Sequence, residues 1–225
     1  ERIVAICQLK SGEFWGIMRY TFSGAPDSGR KGEHMELLEQ RIRKDGKIYA
    51  GDVLKIDSFL NHQMDVDFLS VLGKAFYDLF ADCGVNKILT MEASGIGIAC
   101  MTAQFFHCPA VYAKKGRSSN MAADVWRSQV HSYTHGSDHD VVVSRQYLGK
   151  NDRVLIVDDF LARGSAAMAL LNICRQAGAT VVGFAVCVEK AYQEGERLLR
   201  DAGVRVEALA KIKRMSEDGT IEFEH

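Results

Sequence analysis

The chain has 225 residues, with 28 basic against 29 acidic side chains for a net charge of −1, and at roughly 100–200 residues per domain it forms one large domain or two small ones. Its 47% apolar and 25% charged residues are an ordinary globular mixture; this excludes disorder for the bulk, and the balanced charge argues against a general nucleic-acid binder while leaving room for a local anion site. No stretch approaches about 18 consecutive apolar residues, so no membrane span is expected, and the opening ERIVAICQLKSGEFW lacks the basic end and long apolar run of a secretory signal.

Residues 1–34 contain Phe14, Trp15, Phe22 and Pro26 and end in the polar run SGRKGEH, with no sustained helical or alternating period. Met35 then opens a helix pattern, MELLEQRIRKDG, with Gly46 as its stop. The expectation is a non-domain extension over residues 1–34, such as a start site placed too far upstream would add, and one domain over 35–225. Removing the extension should then leave stability and activity nearly unchanged.

Asp65 can cap a second helix whose apolar positions include Phe68, Leu69, Leu72, Phe76, Leu79 and Phe80, ended near Gly84. KILTM reads as a short strand, followed by the turn ASGIG and the helix IACMTAQFF, and PAVYA as another strand. RSQVHSYTH and DHDVVVS are β-rich and can pair through a turn at Gly136-Ser137. RVLIV is a buried strand, ARGSAAMALLNICRQAGA a loop and helix, TVVGFAVCVEK a strand, AYQEGERLLRDAG a helix and VRVEALAKI the last strong strand. Repeated strand–helix–strand units argue for an α/β fold, a mainly parallel sheet with helices on both faces. The six cysteines, Cys7, Cys83, Cys100, Cys108, Cys174 and Cys187, show no Cys-x-x-Cys spacing. Most read as buried reduced thiols, which points to the cytoplasm. The histidines, His62, His107, His131, His135 and His139 among them, show no ligand spacing on one helix, and no metal held directly by protein side chains is expected.

The strongest local signal is VLIVDDFLARGSA at 154–166. A strand apolar on both faces is followed by two aspartates at its carboxyl end, a turn with Gly164 and Ser165, and an alanine-rich helix. Ligands of open α/β sheets bind at the carboxyl ends of strands. A loop entering a helix N-terminus offers unpaired N–H groups and partial positive charge, a cradle for phosphate. Carboxylates cannot serve the phosphate, but they accept hydrogen bonds from sugar hydroxyls and can hold Mg²⁺ directly or through water. The motif therefore suits a ligand with a phosphate at one end and a ribose beside it.

This segment resembles the phosphoribosyl pyrophosphate signature of type I phosphoribosyltransferases. Residues 35–223 as a whole resemble the bacterial xanthine phosphoribosyltransferase family, through VLKIDSFLNHQMD at 53–65, MEASGI at 91–96, VYAKKGRSS at 111–119, the signature, and VEKAYQEG at 188–195. The resemblance implies the type I phosphoribosyltransferase fold, a five-stranded, mostly parallel core sheet flanked by helices with a small N-terminal hood. It implies transfer of ribose 5-phosphate from phosphoribosyl pyrophosphate to xanthine, with Mg²⁺ carried mainly by the donor, in a homodimer.

Residue by residue, the resemblance implies that Asp158 and Asp159 contact the ribose and carry catalysis. Ala162, Arg163, Gly164, Ser165 and Ala166 bind the 5′-phosphate, although Arg163 departs from the commoner threonine or asparagine. Ala93, Ser94 and Gly95, after Glu92, bind pyrophosphate. Lys114 and Lys115, with Arg117, belong to a mobile loop over the reaction centre, and Leu54, Asn61 and Lys190 contact the purine. A lysine donor at that position suits 6-oxopurines and disfavours adenine, whose exocyclic amine is also a donor. Phe160 either stacks on the base or belongs to the core.

Two other functions compete. A purine-responsive regulator could keep the donor site without catalysis, but such proteins usually carry a DNA-binding helix-turn-helix of roughly 60–70 residues, a pattern absent from the 34-residue lead. A phosphoribosyltransferase for guanine, hypoxanthine or adenine is the other. With neither nucleic acid nor membrane expected as partner, the expected ligands are xanthine and phosphoribosyl pyrophosphate.

Overall fold

Asp65 stands in the sequence where an apolar helical period begins, and it caps that helix: its carboxylate accepts from the Phe68 N–H at 3.2 Å. In the computed structural model, which describes residues 31–116, 124–132 and 137–224, this helix is the second of five. The extension up to residue 30, together with Cys7, Arg117, His135 and Gly136, lies outside the described residues.

The helices are α1 (Lys31–Asp45), α2 (Val66–Phe80), α3 (Gly95–Phe106), α4 (Ser165–Ala177) and α5 (Gly195–Asp201). The strands are β1 (Lys47–Tyr49), β2 (Val53–Lys55), β3 (Lys87–Met91), β4 (Ala110–Gly116), β5 (Val125–Ser132), β6 (Ser137–Ser144), β7 (Arg153–Leu161), β8 (Thr180–Lys190), β9 (Val206–Met215) and β10 (Ile221–Phe223). Helix α1 begins four residues ahead of the predicted Met35. The added turn, KGEH, contains no large apolar residue and so gives no periodic signal, yet its His34 is buried.

The main sheet has eight strands in the order β10-β9-β8-β7-β3-β4-β6-β5. Its five central strands, β9 to β4 in that order, are mutually parallel. Antiparallel β10 closes one end, and the β5–β6 hairpin extends the other. A separate antiparallel hairpin, β1–β2, forms the hood beside the sheet. The chain leaves β3 toward β4 in one direction and β7 toward β8 in the other, so the sheet has its topological switch point between β3 and β7.

Alternation along β7 builds a core on each face. Leu155 and Val157 pack with α1, α2 and α3, while Val154 and Ile156 pack with α4 and α5. The predicted strand RVLIV is four residues too short, because β7 continues through both aspartates to Leu161, paired with Glu189 of β8. Its pairing with β3 ends earlier, at Ile156 with Leu89. Asp158 and Asp159 therefore sit on a strand supported from one side only, at the switch point. The expected burial of the thiols holds for Cys174 and Cys187; Cys83 and Cys108 are half-buried and Cys100 is exposed, because α3 turns that residue outward.

One buried polar group makes the fold sensitive to pH. Glu189 is 1% exposed. On the neighbouring strand Lys211 Nζ lies 3.4 Å from its carboxylate and 3.0 Å from that of Glu196, and Glu196 also pairs with Arg200 at 2.6 Å. Burial, helped by Glu196, raises Glu189 to about 7; burial works to raise Glu196 too, but hydrogen bonds from Arg200 and Lys211 bring it down to about 2. A carboxyl raised on folding contributes stability that is present below its unfolded pKa and is lost as pH climbs through the folded one. Glu189→Gln should therefore gain in Tm relative to the parent as pH rises from about 4.5 to about 7. Thermal melts of both proteins across that range test it, and a pH-independent difference would refute the assignment.

Candidate active site

Three chain segments meet at the end of β7. A single wide helical turn, Asp57–Asn61, follows β2 and ends on Asn61. The loop Glu92–Ser94 follows β3, and the aspartates come from β7 itself. Asp159 is the hub: its Oδ1 accepts from the Ser94 hydroxyl at 2.9 Å and its Oδ2 from Asn61 Nδ2 at 2.8 Å. The predicted ribose, pyrophosphate and purine residues are thus joined through one carboxylate. Asp158 accepts from the Asp159 N–H at 3.0 Å. Burial pushes its carboxyl well above the usual range, the Asp159 charge adds to this, and Lys115 opposes it.

Gly95 opens α3 against this pair. A β-carbon there would stand 2.0 Å from Thr90 Oγ1 and 2.7 Å from Asp158 Oδ1, so the absence of a side chain lets the loop lie on the aspartates. The loop is also fastened to β4. Glu92 N–H donates to the Ala113 carbonyl at 3.1 Å, and its carboxylate accepts from the Lys115 N–H at 2.6 Å.

The segment Ala162–Ala166 turns from β7 into α4. Gly164 has φ 84°, in the left-handed region, and a β-carbon on it would meet Gly195 Cα at 2.9 Å. The first backward bond of the helix runs from Met168 N–H to the Gly164 carbonyl at 2.9 Å. The amides of Ser165, Ala166 and Ala167 ahead of it thus have no acceptor within the helix, and they point along the positive end of its dipole. Gly195 N–H donates to the Ala162 carbonyl at 3.0 Å, so the start of α5 braces the turn. A cleft of about 580 Å³ lies alongside, lined by all five residues Ala162–Ala166, by Phe160 and Lys190, and by Asp52 of the hood.

No family model matches the chain. Among curated proteins it is 50% identical over 189 residues to xanthine phosphoribosyltransferase of Ruminiclostridium cellulolyticum, covering 84% of this chain and 99% of that one. It is 48% identical over 190 residues to the enzyme of the same name from Lachnoclostridium phytofermentans, covering 84% and 98%. The chain belongs to the xanthine phosphoribosyltransferase family. Solved structures agree on the fold. Adenine phosphoribosyltransferase from Trypanosoma brucei, in complex with AMP, pyrophosphate and ribose-5-phosphate, superposes with TM-score 0.68 over 81% of this chain and 82% of that one, at 19% identity. The adenine enzyme of Rhodothermus marinus gives TM-score 0.65 over 80% and 98%, at 21% identity. The fold is the type I phosphoribosyltransferase fold.

Within this phosphoribosyltransferase fold the predicted residues divide. Asp158, Asp159, Asn61, Ala93, Ser94 and Gly95 come together at the switch point, and Lys190 and Ala162–Ala166 line the adjoining cleft. The two lysines of β4, inseparable by sequence, lie on opposite faces of the strand: Lys115 acts on Asp158, while Lys114 Nζ sits 5.8 Å from the Tyr112 ring. Phe160 packs against the core from a position that lines the cleft. Leu54 is buried in the core beneath the hood, 7% exposed, and its neighbour Val53 lines the cleft. Asp52, Tyr192 and Gln193 were not among the predicted site residues. Asp52 lies one residue ahead of the resemblance stretch that starts at Val53, and only the fold brings it to Lys190.

Proposed function

We propose that the chain transfers ribose 5-phosphate from phosphoribosyl pyrophosphate to xanthine, giving xanthosine 5′-monophosphate and pyrophosphate, a purine-salvage reaction. The observation that carries this reading is the Asp159 carboxylate joined to Ser94 and Asn61 beside the Gly164 turn. In this reading Gly164, Ser165 and Ala166, with Ala162 and Arg163, grip the 5′-phosphate through backbone amides and the Ser165 hydroxyl. Asp158 and Asp159 hold the ribose hydroxyls and favour the positive charge that develops as the bond to pyrophosphate breaks and the purine nitrogen bonds to the same carbon. Ala93, Ser94 and Gly95 receive the pyrophosphate, with Lys115, on the Asp158 side of β4, offsetting its charge. Asn61 and Lys190 contact the purine, and Leu54 does so from its backbone. The lysine donor favours an oxopurine over adenine.

Oxygen atoms make up the acidic end of the site, namely the Asp158 and Asp159 carboxylates and the Ser94 hydroxyl, and this donor set suits a hard cation such as Mg²⁺. Among the described residues no group of three or more His, Cys, Asp or Glu side chains could hold a metal ion by itself. The Asp158 and Asp159 carboxylates would face Mg²⁺ brought in with the donor's diphosphate, and the ion would offset the charge of the leaving pyrophosphate. We also assign a cytoplasmic homodimer and a functional unit spanning residues 35–225. Deleting residues 1–30, which stops short of α1 and its buried His34, is expected to leave turnover nearly unchanged.

Incubation with phosphoribosyl pyrophosphate, Mg²⁺ and each of xanthine, guanine, hypoxanthine and adenine tests the proposal. The highest kcat/KM is expected for xanthine and the lowest for adenine. No product from any oxopurine would refute the enzyme reading and leave the regulator.

A further inference from the structure

The hood hairpin turns through Ala50, Gly51 and Asp52, the last two in the left-handed region at φ 78° and 66°. Glycine takes that conformation freely and aspartate tolerates it, so the tip is shaped to present Asp52. From there Asp52 meets the far end of β8 with every acceptor it has. Its backbone carbonyl accepts from Lys190 Nζ. Its carboxylate accepts from the Tyr192 hydroxyl and, at 2.7 Å, from Gln193 Nε2. The ammonium also lies 3.5 Å from that carboxylate, and the Lys190 side chain is 12% exposed.

A lysine stem is rotamer-rich, and its ordering counts against any ligand it must meet. Here the stem is ordered in advance. An ammonium has three donors, and the Asp52 carbonyl takes one of them at the edge of the cleft. We propose that Asp52 is a positioning residue for base recognition: the hood tip holds the Lys190 ammonium ready for the oxygen of an oxopurine. This rests on the reading of Lys190 as a purine contact. The hood then contributes to base selectivity without touching the base, because a lysine held in place cannot swing away from adenine's amine.

The test compares Asp52→Asn, Asp52→Gly, Lys190→Met and the double variant Asp52→Gly/Lys190→Met. Asparagine and glycine both accept the left-handed backbone and keep the carbonyl that Lys190 donates to; what is lost is the carboxylate that ties the hood tip to Tyr192 and Gln193 and so holds that carbonyl on the ammonium. The KM for xanthine should rise about three- to tenfold in the Asp52 variants, more for glycine than for asparagine, as expected when one long side chain loses its ordering. The kcat, the KM for phosphoribosyl pyrophosphate and the Tm should stay close to the parent. The double variant should match Lys190→Met alone. An unchanged xanthine KM in the Asp52 variants, with a raised one in Lys190→Met, would overturn the role of Asp52 and leave the base contact standing. So would additive effects in the double variant, or an equal rise in donor KM with a lowered Tm, which is the mark of a merely structural hood. An unchanged xanthine KM in Lys190→Met would remove the base contact and the positioning role together.

Discussion

Asp159→Asn is expected to lower kcat by about 10²- to 10³-fold while leaving Tm within a few degrees of the parent. The fold tolerates the change because the amide oxygen can still accept from Ser94, and the Asn61 amide can flip to accept from the new NH₂ group. On the proposed reaction the chemistry should not tolerate it, because a cationic ribose carbon would lose a fixed anion. Asp158→Asn should be milder. Burial opposes charge on Asp158 and pushes its carboxyl up, so removing that charge relieves part of a desolvation cost, whereas Asp159 holds its charge between two donors. The ordering of the two variants is the discriminating result, read from kcat at saturating substrates alongside thermal melts. Equal losses, or a loss at Asp159 below about threefold, would count against a catalytic role for this carboxylate's charge.

The parallel sheet was legible mainly through β7 and β8, which are long and largely buried on both faces. TVVGFAVCVEK carries the run VVGFAVCV, with no polar side chain from Val181 to Val188, and it is β8 from end to end. The Gly164 turn was legible for a related reason: glycine and serine between a buried strand and an alanine-rich helix form a local pattern. The hood was not. Strands β1, β2 and β10 have three residues each, too few for any period to register. The aspartates were placed after β7 rather than within it, since adjacent acids read locally as a turn, and only pairing with β8 keeps them extended. Asp52 could not be found at all from spacing, because its partners lie 138 or more positions away along the chain. Leu54 shows the converse limit: a motif match names a position, but the side chain there serves the core.

Gly95→Ala should do damage that reaches both halves of the site. Its β-carbon would fall 2.0 Å from the Thr90 hydroxyl and 2.7 Å from the Asp158 carboxylate, closer than real β-carbons approach heavy atoms. Thr90 is 1% exposed and Asp158 6%, so neither can swing into solvent. The start of α3 must lift, or Asp158 must move. Overpacking of this kind costs roughly 1–3 kcal/mol, which for a chain of this size lowers Tm by about 2–4 °C per kcal/mol. The turnover loss should be larger than the stability loss implies, at least about 10²-fold, because a shift of about 1 Å in a positioning loop is amplified at the reacting atoms. Thr90→Ala separates the two effects. Removing that hydroxyl takes away the worse clash, so Gly95→Ala/Thr90→Ala should recover most of the Tm. The contact with Asp158 remains, so the double variant should stay slow. Recovery of kcat together with Tm would mean that Gly95 serves only the packing of α3, and that the loop's close approach to the aspartates is incidental to the chemistry.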